Sequence, residues 1–296
     1  MGLPWEIVDG PIAYQGEPGA NSAMACTDMF PDREQLPCTT FEDALEAVSS
    51  GRAGLAMIPV DNSIAGRVAD IHHLLPDSGL HIIREHFLRV HINLLGLPGT
   101  RIEDIRTAMS HTVLLGQCRA FLREHRVQPR VGADTAGSAE AVAAQHDRSV
   151  GALASELAGD IYGLDVLARH IEDQSNNTTR FLAMAPEPAP TPEREAITSF
   201  VFRVRNIPAA LYKAMGGFAT NGVNMTKLES YMLGGHFTAT QFYADIEGHP
   251  DEPRVRRALD ELAYFTTRLQ ILGVYPRDPF RDAQTPVPLE AEPHPA

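Results

Sequence analysis

Four short stretches of this sequence gather small polar residues where a loop would pass into a helix or strand: GANS at Gly19 to Ser22, DNS at Asp61 to Ser63, DTAGS at Asp134 to Ser138 and NNTTRF at Asn176 to Phe181. A helix N-terminus presents unpaired backbone N–H groups and the positive end of the peptide dipole, so such a stretch is able to hold a carboxylate or phosphate without a basic side chain. The plain alternative is ordinary capping, for which Ser, Thr, Asn and Asp are the preferred residues. Only several of these stretches around one cleft would make a site. Other chemistries find no pattern here: the sequence has no GxGxxG, no GxxxxGKS or GxxxxGKT, no GxSxG and no HExxH. His81, His86 and His91 are five residues apart, which matches no usual ligand spacing, and are read as structural. His72 and His73 are adjacent and cannot share one helix face, so at least one faces solvent.

The elements that must position these stretches alternate through the first two-thirds of the chain as in an α/β fold. A strand at Ile12 to Tyr14 runs through the loop QGEPGANS into a helix opening near Ser22. Thr40 and Asp43 form a capping box, followed by Phe41, Ala44, Leu45 and Val48 at helical spacing and a stop at Gly51. Strands follow at Gly54 to Val60, leading into DNS, and at Ile92 to Leu97. From about Arg101 to Leu167 the pattern reads as a second lobe: strand near Met109, helix at Gly116 to Glu124, strand near Val131, helix at Ala139 to Ala144, strand at Val150 to Ala154 and helix to Tyr162. NNTTRFLAMAP is loop plus strand, and the proline-rich APEPAPTPERE ends it. Beyond it, a half-buried strand at Ser199 to Arg205, a helix at Leu211 to Phe218, strands at Val223 to Ser230 and Phe237 to Ile246, a helix carrying Val255, Ala258, Leu259, Leu262 and Phe265, and a strand at Leu269 to Val274 give the order βαββαβ. That order is the ferredoxin-like split βαβ arrangement.

Bulk properties limit the possibilities. At 296 residues the chain suggests two domains. With 44% hydrophobic and 21% charged residues it reads as globular, and no apolar run reaches the roughly 18 residues of a membrane helix. A formal charge of −13 opposes nucleic-acid binding. Met1 to Gly10 carries Glu6 and Asp9 and no apolar segment, which argues against a secretory signal and for a cytoplasmic location. Cys26, Cys38 and Cys118 give neither a disulfide framework nor a metal spacing.

NNTTRF followed by a βαββαβ unit containing NGVNMTKLES resembles the prephenate dehydratase family, in which an NxTRF motif precedes a regulatory ACT domain. IPVDNSIAGRV is similar to the family's IPxENSxxGxV, SHTVLLGQC to its SHPxxxxQC, and DTAGSAE to its acidic and small-residue loop. The resemblance spans Ile12 to Pro276 and implies a two-lobed α/β catalytic domain, similar to type 2 periplasmic binding proteins, followed by the ACT domain. The boundaries expected are 1–186 for the catalytic domain, 187–196 for the linker, 197–276 for the ACT domain and 277–296 for a mobile tail. It implies loss of the C4 hydroxyl and ring carboxylate of prephenate, giving phenylpyruvate, water and carbon dioxide, with no cofactor and no metal, since the electrons end in the aromatic ring. Thr179 maps to the threonine that assists departure of the hydroxyl; a threonine hydroxyl is too weak an acid to ionise at pH 7, so its expected role is that of a hydrogen-bonded donor or relay. Asn62, Ser63, Ser110, Gln117, Asp134 and Thr135 map to substrate-holding positions. Arg180 would pair with a substrate carboxylate or form a structural salt bridge, and Phe181 would line the site or the core. Asp61 stands where the family has glutamate and is expected to act behind the substrate shell.

For the C-terminal domain the resemblance implies phenylalanine binding at a subunit interface, in a homodimer or homotetramer. The positions that map to the effector motifs are Ala209, Ala210 and Leu211, then Asn221 and Asn224, then Glu229 and Ser230. Alanine replaces a glycine at 209, and Tyr231 and Met232 replace Arg-Pro. The missing glycine would crowd a close backbone approach. Arogenate dehydratase shares these motifs and is the nearest rival; a non-catalytic small-molecule binding protein is the rival from another class.

Overall fold

The computed structural model describes residues 8–68, 71–192, 195–232 and 239–283. The first lobe contains β1 (Ile12–Gln15), α1 (Asn21–Met29), β2 (Gln35–Cys38), α2 (Phe41–Ser49), β3 (Leu55–Asn62), β4 (Gly66–Arg67), α3 (Ile71–Leu74) and β5 (His81–Arg89). The chain then builds the second lobe from β6 (Asn93–Gly96), β7 (Thr107–Ser110), α4 (Thr112–Gln117), α5 (Arg119–Glu124), β8 (Gln128–Val131), α6 (Thr135–Gln145), β9 (Val150–Ala154), α7 (Glu156–Tyr162) and β10 (Asp165–Ala168). It returns to the first lobe through β11 (Thr178–Ala185). The C-terminal unit follows as β12 (Ala196–Val204), α8 (Ala210–Thr220), β13 (Met225–Met232), β14 (Ala239–Glu247), α9 (Pro253–Phe265), β15 (Thr266–Pro276) and the short α10 (Phe280–Ala283).

Local chemistry explains several boundaries. Thr40 and Asp43 close the capping box of α2 in both directions, and α7 starts at Ser155, whose hydroxyl accepts from Ala158 N, and stops at Gly163 in the left-handed region. Strand β3 is covered on both faces: Ala56, Ile58 and Val60 pack with α2, whereas Leu55 and Met57 pack with α1. Strand β11 lies between β5 and β3 and is buried along its whole length, so FLAMA reads as a continuous apolar run instead of alternating.

The second lobe has its own five-stranded sheet, in the order β10-β6-β9-β7-β8. The first lobe and the C-terminal unit share one sheet, in the order β13-β14-β12-β15-β5-β11-β3-β1-β2, with β4 added alongside β3. The junction is a short parallel contact of β15 with β5 at Gly273 and Ile82. A Cβ on Gly273 would lie 2.2 Å from the Ile82 carbonyl oxygen, so only glycine permits this approach. Among the described residues no helix is long and apolar enough to cross a membrane.

The two-lobed α/β architecture and the βαββαβ order agree with the sequence reading, and four details differ. Strands β2, β4, β5 and β10 and the short α3 had no counterpart in it; Pro37 interrupts β2 and charged residues interrupt β5. The expected helix at Gly116 to Glu124 is two helices, broken at Cys118, where Asp173 accepts from the N–H groups of Arg119 and Ala120. Strand β12, expected to be half-buried, is buried on nearly every residue because it is paired on both sides and covered by the first lobe. The tail expected to be mobile from 277 is docked as far as Ala283, with Phe280 stacked on Phe87 and Arg281 bound to Glu85; the rest of the tail lies outside the described residues. Residues 237 and 238, expected to begin the β14 strand, also lie outside them.

Gly273→Ala is expected to destabilise the protein by about 1–3 kcal/mol, the usual cost of overpacking. Urea denaturation measures it, and an unchanged midpoint would mean that the sheet junction widens freely.

Candidate active site

Both lobes present the carboxyl ends of parallel strands to each other, the edge at which open α/β sheets hold ligands. GANS follows β1, DNS lies at the end of β3, SHT at the end of β7, and DTAGS follows β8. NNTTRF leads into β11, which runs antiparallel to β3 with Thr179 opposite Asn62, so its start reaches the same edge.

Asn62 and Thr179, 117 positions apart in sequence, are hydrogen-bonded there. Asn62 Nδ2 donates to Thr179 Oγ1 at 3.0 Å and to Asn177 Oδ1 at 2.8 Å. Asn62 Oδ1 accepts from the N–H groups of Ile64 at 3.0 Å and Ala65 at 2.8 Å. Ser63 Oγ donates to the Asn176 carbonyl at 2.7 Å and accepts from Thr178 N at 2.9 Å. Asn177 Nδ2 donates to Gln117 Oε1 of the second lobe at 3.0 Å. Thr179 is 8% exposed and Asn177 1%. The Thr179 hydroxyl is therefore held by the Asn62 amide, and among the described residues no acidic or basic side chain is hydrogen-bonded to it.

The opposite end of the cleft is closed by direct lobe contact. Gly19 sits at φ +88°, and a Cβ there would be 2.8 Å from Ala158 Cα; Ser155 Oγ donates to the Gly19 carbonyl at 2.6 Å and the Tyr162 hydroxyl to the Pro18 carbonyl at 3.3 Å. Burial, and then the charges of Glu140, Glu17 and Asp134, push the Tyr162 phenol up. Asp134 caps α6 by accepting from Gly137 N at 2.7 Å, and Thr135 opens that helix. Ser110, expected to touch substrate, is fully buried and donates its hydroxyl to the Leu153 carbonyl at 2.7 Å, which stitches β7 to β9.

Alternation along β11 turns Arg180 away from the face that carries Thr179. Arg180 is 5% exposed; its Nε donates to Glu85 Oε2 at 2.9 Å, Nη1 to Asp245 Oδ2 at 2.5 Å and Nη2 to the Tyr275 hydroxyl at 2.8 Å. Arg281 donates to both oxygens of Glu85, at 2.7 and 2.9 Å, and Ser199 Oγ donates to Asp245 Oδ1 at 2.5 Å. Asp61 is paired with Lys227 of β13. Of the two readings of Arg180, the structural salt bridge is the one found, and every nitrogen of its guanidinium is engaged with the protein. Phe181 is 1% exposed in the core of the first lobe. A cavity of about 330 Å³ lies on the Arg180 side, between Asn62, Ser63, Thr178, Thr226 and Lys227. Its charged groups are all paired within the protein.

In the C-terminal unit Ala209 adopts φ +62°, the conformation for which glycine is preferred, so the substitution noted in the sequence costs strain at the start of α8; Ala210 and Leu211 form the first turn. Asn221 Nδ2 donates to the Gly217 carbonyl at 2.9 Å and to Glu261 Oε1 at 3.1 Å, and Asn224 Nδ2 to Glu247 Oε2 at 3.0 Å, so both amides are engaged within the domain. Glu229 lies 3.6 Å from Arg67, whose Nη1 also donates to the Ser230 carbonyl at 2.9 Å. The expected effector strand thus touches the hairpin that carries DNS. Tyr231 packs on His72 and His73; His72 is buried, with its pKa pushed down to about 4 by burial and by Lys227, whereas His73 faces solvent.

Sequence reasoning missed Asn177, although it is the first residue of the NxTRF motif, because a motif does not say which side chains point inward. It also missed Glu85, Lys227, Asp245 and Tyr275, whose partners are distant in sequence. Only the charge of Glu85, Lys227 and Asp245 within strand patterns hinted at buried pairs.

A family model described as prephenate dehydratase matches residues 12–189. Over 272 residues the chain is 51% identical to a bifunctional N-acyl-homoserine lactone acylase/prephenate dehydratase of Komagataeibacter europaeus, covering 91% of this chain and 97% of that protein. It is 38% identical over 282 residues to arogenate dehydratase/prephenate dehydratase 1, chloroplastic, of Arabidopsis thaliana, covering 90% of this chain and 72% of that protein. The crystal structure of a prephenate dehydratase from Arthrobacter aurescens in complex with L-Phe aligns with a TM-score of 0.82 at 31% identity, covering 90% of each chain.

Arg180→Leu is expected to cost about 3–5 kcal/mol at neutral pH, because it leaves the buried Asp245 carboxylate without the cation that touches it. Burial alone would raise the Asp245 pKa, but the Arg180 charge and the bonds from Ser199 and Arg180 hold it below its ordinary value. A depressed folded-state value contributes stability above the unfolded value near pH 4, and that stability is lost as pH falls through the folded value. The gap between variant and wild type is therefore expected to narrow as pH drops below about 4. Urea denaturation across pH measures it, and a gap that is constant with pH would show that Asp245 does not depend on Arg180.

Proposed function

Since the chain belongs to the prephenate dehydratase family of hydro-lyases, we propose that it converts prephenate to phenylpyruvate, water and carbon dioxide in the cleft between its lobes. The bond from C1 to the ring carboxylate breaks, its electron pair enters the ring, and the C4 hydroxyl leaves as water after gaining a proton. Aromatisation drives the reaction, so the enzyme's task is orientation and stabilisation of the leaving oxygen. The observation that carries this reading is the bond from Asn62 Nδ2 to Thr179 Oγ1. With that oxygen accepting, the threonine hydrogen is free to be donated, and the leaving hydroxyl is the acceptor that the chemistry supplies. Gln117 and the backbone N–H groups at the strand ends would hold the carboxylates, Asn62 would hold Thr179, and Asp134 and Ser110 would act through the backbone they fix.

Arogenate carries an amino group where prephenate carries a keto group, away from the bonds that break, and the same site serves either. Prephenate is favoured because dehydration of prephenate is the activity named in the relative that shares half of its residues with this chain. The acylase activity in that relative's name would call for a nucleophile activated by a general base or a metal-bound water. Among the described residues the hydroxyls of Ser63, Ser110 and Ser155 donate instead to backbone carbonyls.

The same reading assigns phenylalanine to the C-terminal unit as effector, across a pair of chains. The contact of Arg67 with Glu229 and Ser230 supports it, because it ties the expected effector strand to the substrate loop.

Thr179→Ala is expected to lower kcat at least about 100-fold, the scale of lost acid assistance, with KM little changed and Thr179→Ser milder. Product release from prephenate and from arogenate measures it, and equal wild-type rates in both variants would sink the role. Phenylalanine at millimolar concentration is expected to shift the melting temperature or sedimentation of the wild type; no shift would make the C-terminal unit purely structural.

A further inference from the structure

We infer that Asn177 is a positioning residue that sets the polarity of the substrate cleft, orienting the Gln117 amide so that its NH2 group faces the substrate; this rests on the reading of the cleft given above. The inference follows from counting donors and acceptors along one chain of side chains. Two backbone N–H groups, of Ile64 and Ala65, point at the same atom of Asn62 from 3.0 and 2.8 Å. Only an oxygen accepts two donors, so the Asn62 carbonyl faces them and its NH2 faces the other way. Both hydrogens of that NH2 are engaged, one with Thr179 Oγ1 and one with Asn177 Oδ1. The Asn177 amide is therefore fixed in turn: its oxygen faces Asn62, and its NH2 faces Gln117 at 3.0 Å. Gln117 must then present its oxygen to Asn177, which leaves its Nε2 without a protein acceptor among the described hydrogen bonds.

The chain thus begins at two backbone donors and ends at two more, the Thr179 hydroxyl and the Gln117 NH2. A dianionic substrate needs donors on both sides, and a half-turn of any amide in the series would replace one with an oxygen lone pair. Asn177 is 1% exposed, so water does not reach it to compensate for a wrong orientation. Asn177 also spans the two lobes, since Asn62 ends β3 of the first lobe and Gln117 ends α4 of the second. It therefore fixes the distance between them as well as the direction of the amides.

The decisive variant is Asn177→Asp, of nearly the same shape. At neutral pH the introduced carboxylate accepts from Asn62 as before but cannot donate to Gln117, which turns over and shows its oxygen to the substrate. We expect kcat/KM for prephenate to fall about 10- to 100-fold, the worth of one hydrogen bond to a charged group, mainly through KM. A protonated carboxyl regains the donor, and burial raises its pKa above the usual value of about 4. The ratio of variant to wild-type kcat/KM should therefore rise as pH falls, which a merely structural staple between lobes would not produce. Gln117→Glu, which keeps the oxygen facing Asn177 and replaces only the outward NH2, is expected to show the same loss and the same acid recovery. A ratio that is flat with pH in both variants, or wild-type activity in either at neutral pH, would overturn the inference. Wild-type turnover in the same assay decides the functional reading separately. If wild type is inactive, the side-chain amide signals in a 1H–15N spectrum still test the orientation: the Asn62 and Asn177 NH2 pairs should exchange slowly and the Gln117 pair fast, and the reverse order would refute it.

Discussion

The organisation of this molecule depends on a buried cluster of opposite charges gathered around Arg180. Arg180 and Arg281 supply two cations, Glu85 and Asp245 two carboxylates, and the hydroxyls of Ser199 and Tyr275 satisfy oxygens and nitrogens left over. These groups come from β5, β11, β12, β14, β15 and α10, so the cluster forms only when the first lobe and the C-terminal unit are in register. Burial would drive the guanidinium toward neutrality, yet Asp245, Tyr275, Tyr243 and Glu85 together push its pKa up and hold it charged. Such a network adds less net stability than its contacts suggest, because desolvation opposes the attraction; its stronger effect is to exclude mispairing, since any other register strands a bare charge in the core.

That constraint reaches the chemistry through the two-residue period of one strand. Arg180 points toward the domain junction and Thr179, one residue earlier, toward the cleft, where Asn62 holds it. The hairpin after Asn62 carries Arg67, which returns to the C-terminal unit at Glu229 and Ser230, and Asp61 on the same strand meets Lys227. Substrate loop, catalytic strand and C-terminal sheet are therefore joined by three charged contacts rather than by a flexible linker. The close approach at Gly273 completes the arrangement by letting two sheets become one. Asp61 lies between Lys227 and Arg180, and a glutamate there would carry one more methylene to accommodate in that space.

Much of this was legible in the residues. The capping box of α2, the strands at Ile12 and Val150, the βαββαβ order and the motifs that mark the family depend on short-range chemistry, which the local sequence carries in full. Strand β5 was hidden because His81, Arg84, Glu85 and His86 break its apolar pattern, and Glu85 is there to meet Arg180 and Arg281. The capping reading of Asp134 holds alongside its place at the cleft edge, whereas Ser110 and Arg180, drawn from motif positions, turned inward to the protein.

By itself the sequence determined the family, the βαββαβ order of the C-terminal unit and the stretches that face one cleft, because turn chemistry, periodicity and motif spacing are properties of neighbouring residues. Only the tertiary structure decided which way each side chain points and what it meets: Arg180 into a salt bridge, Asn177 between two lobes, Ala209 in a left-handed turn. Those outcomes depend on hydrogen-bond and charge partners a hundred or more positions away for Asn62 and Thr179, and no local pattern encodes a partner that the chain reaches only after it has folded.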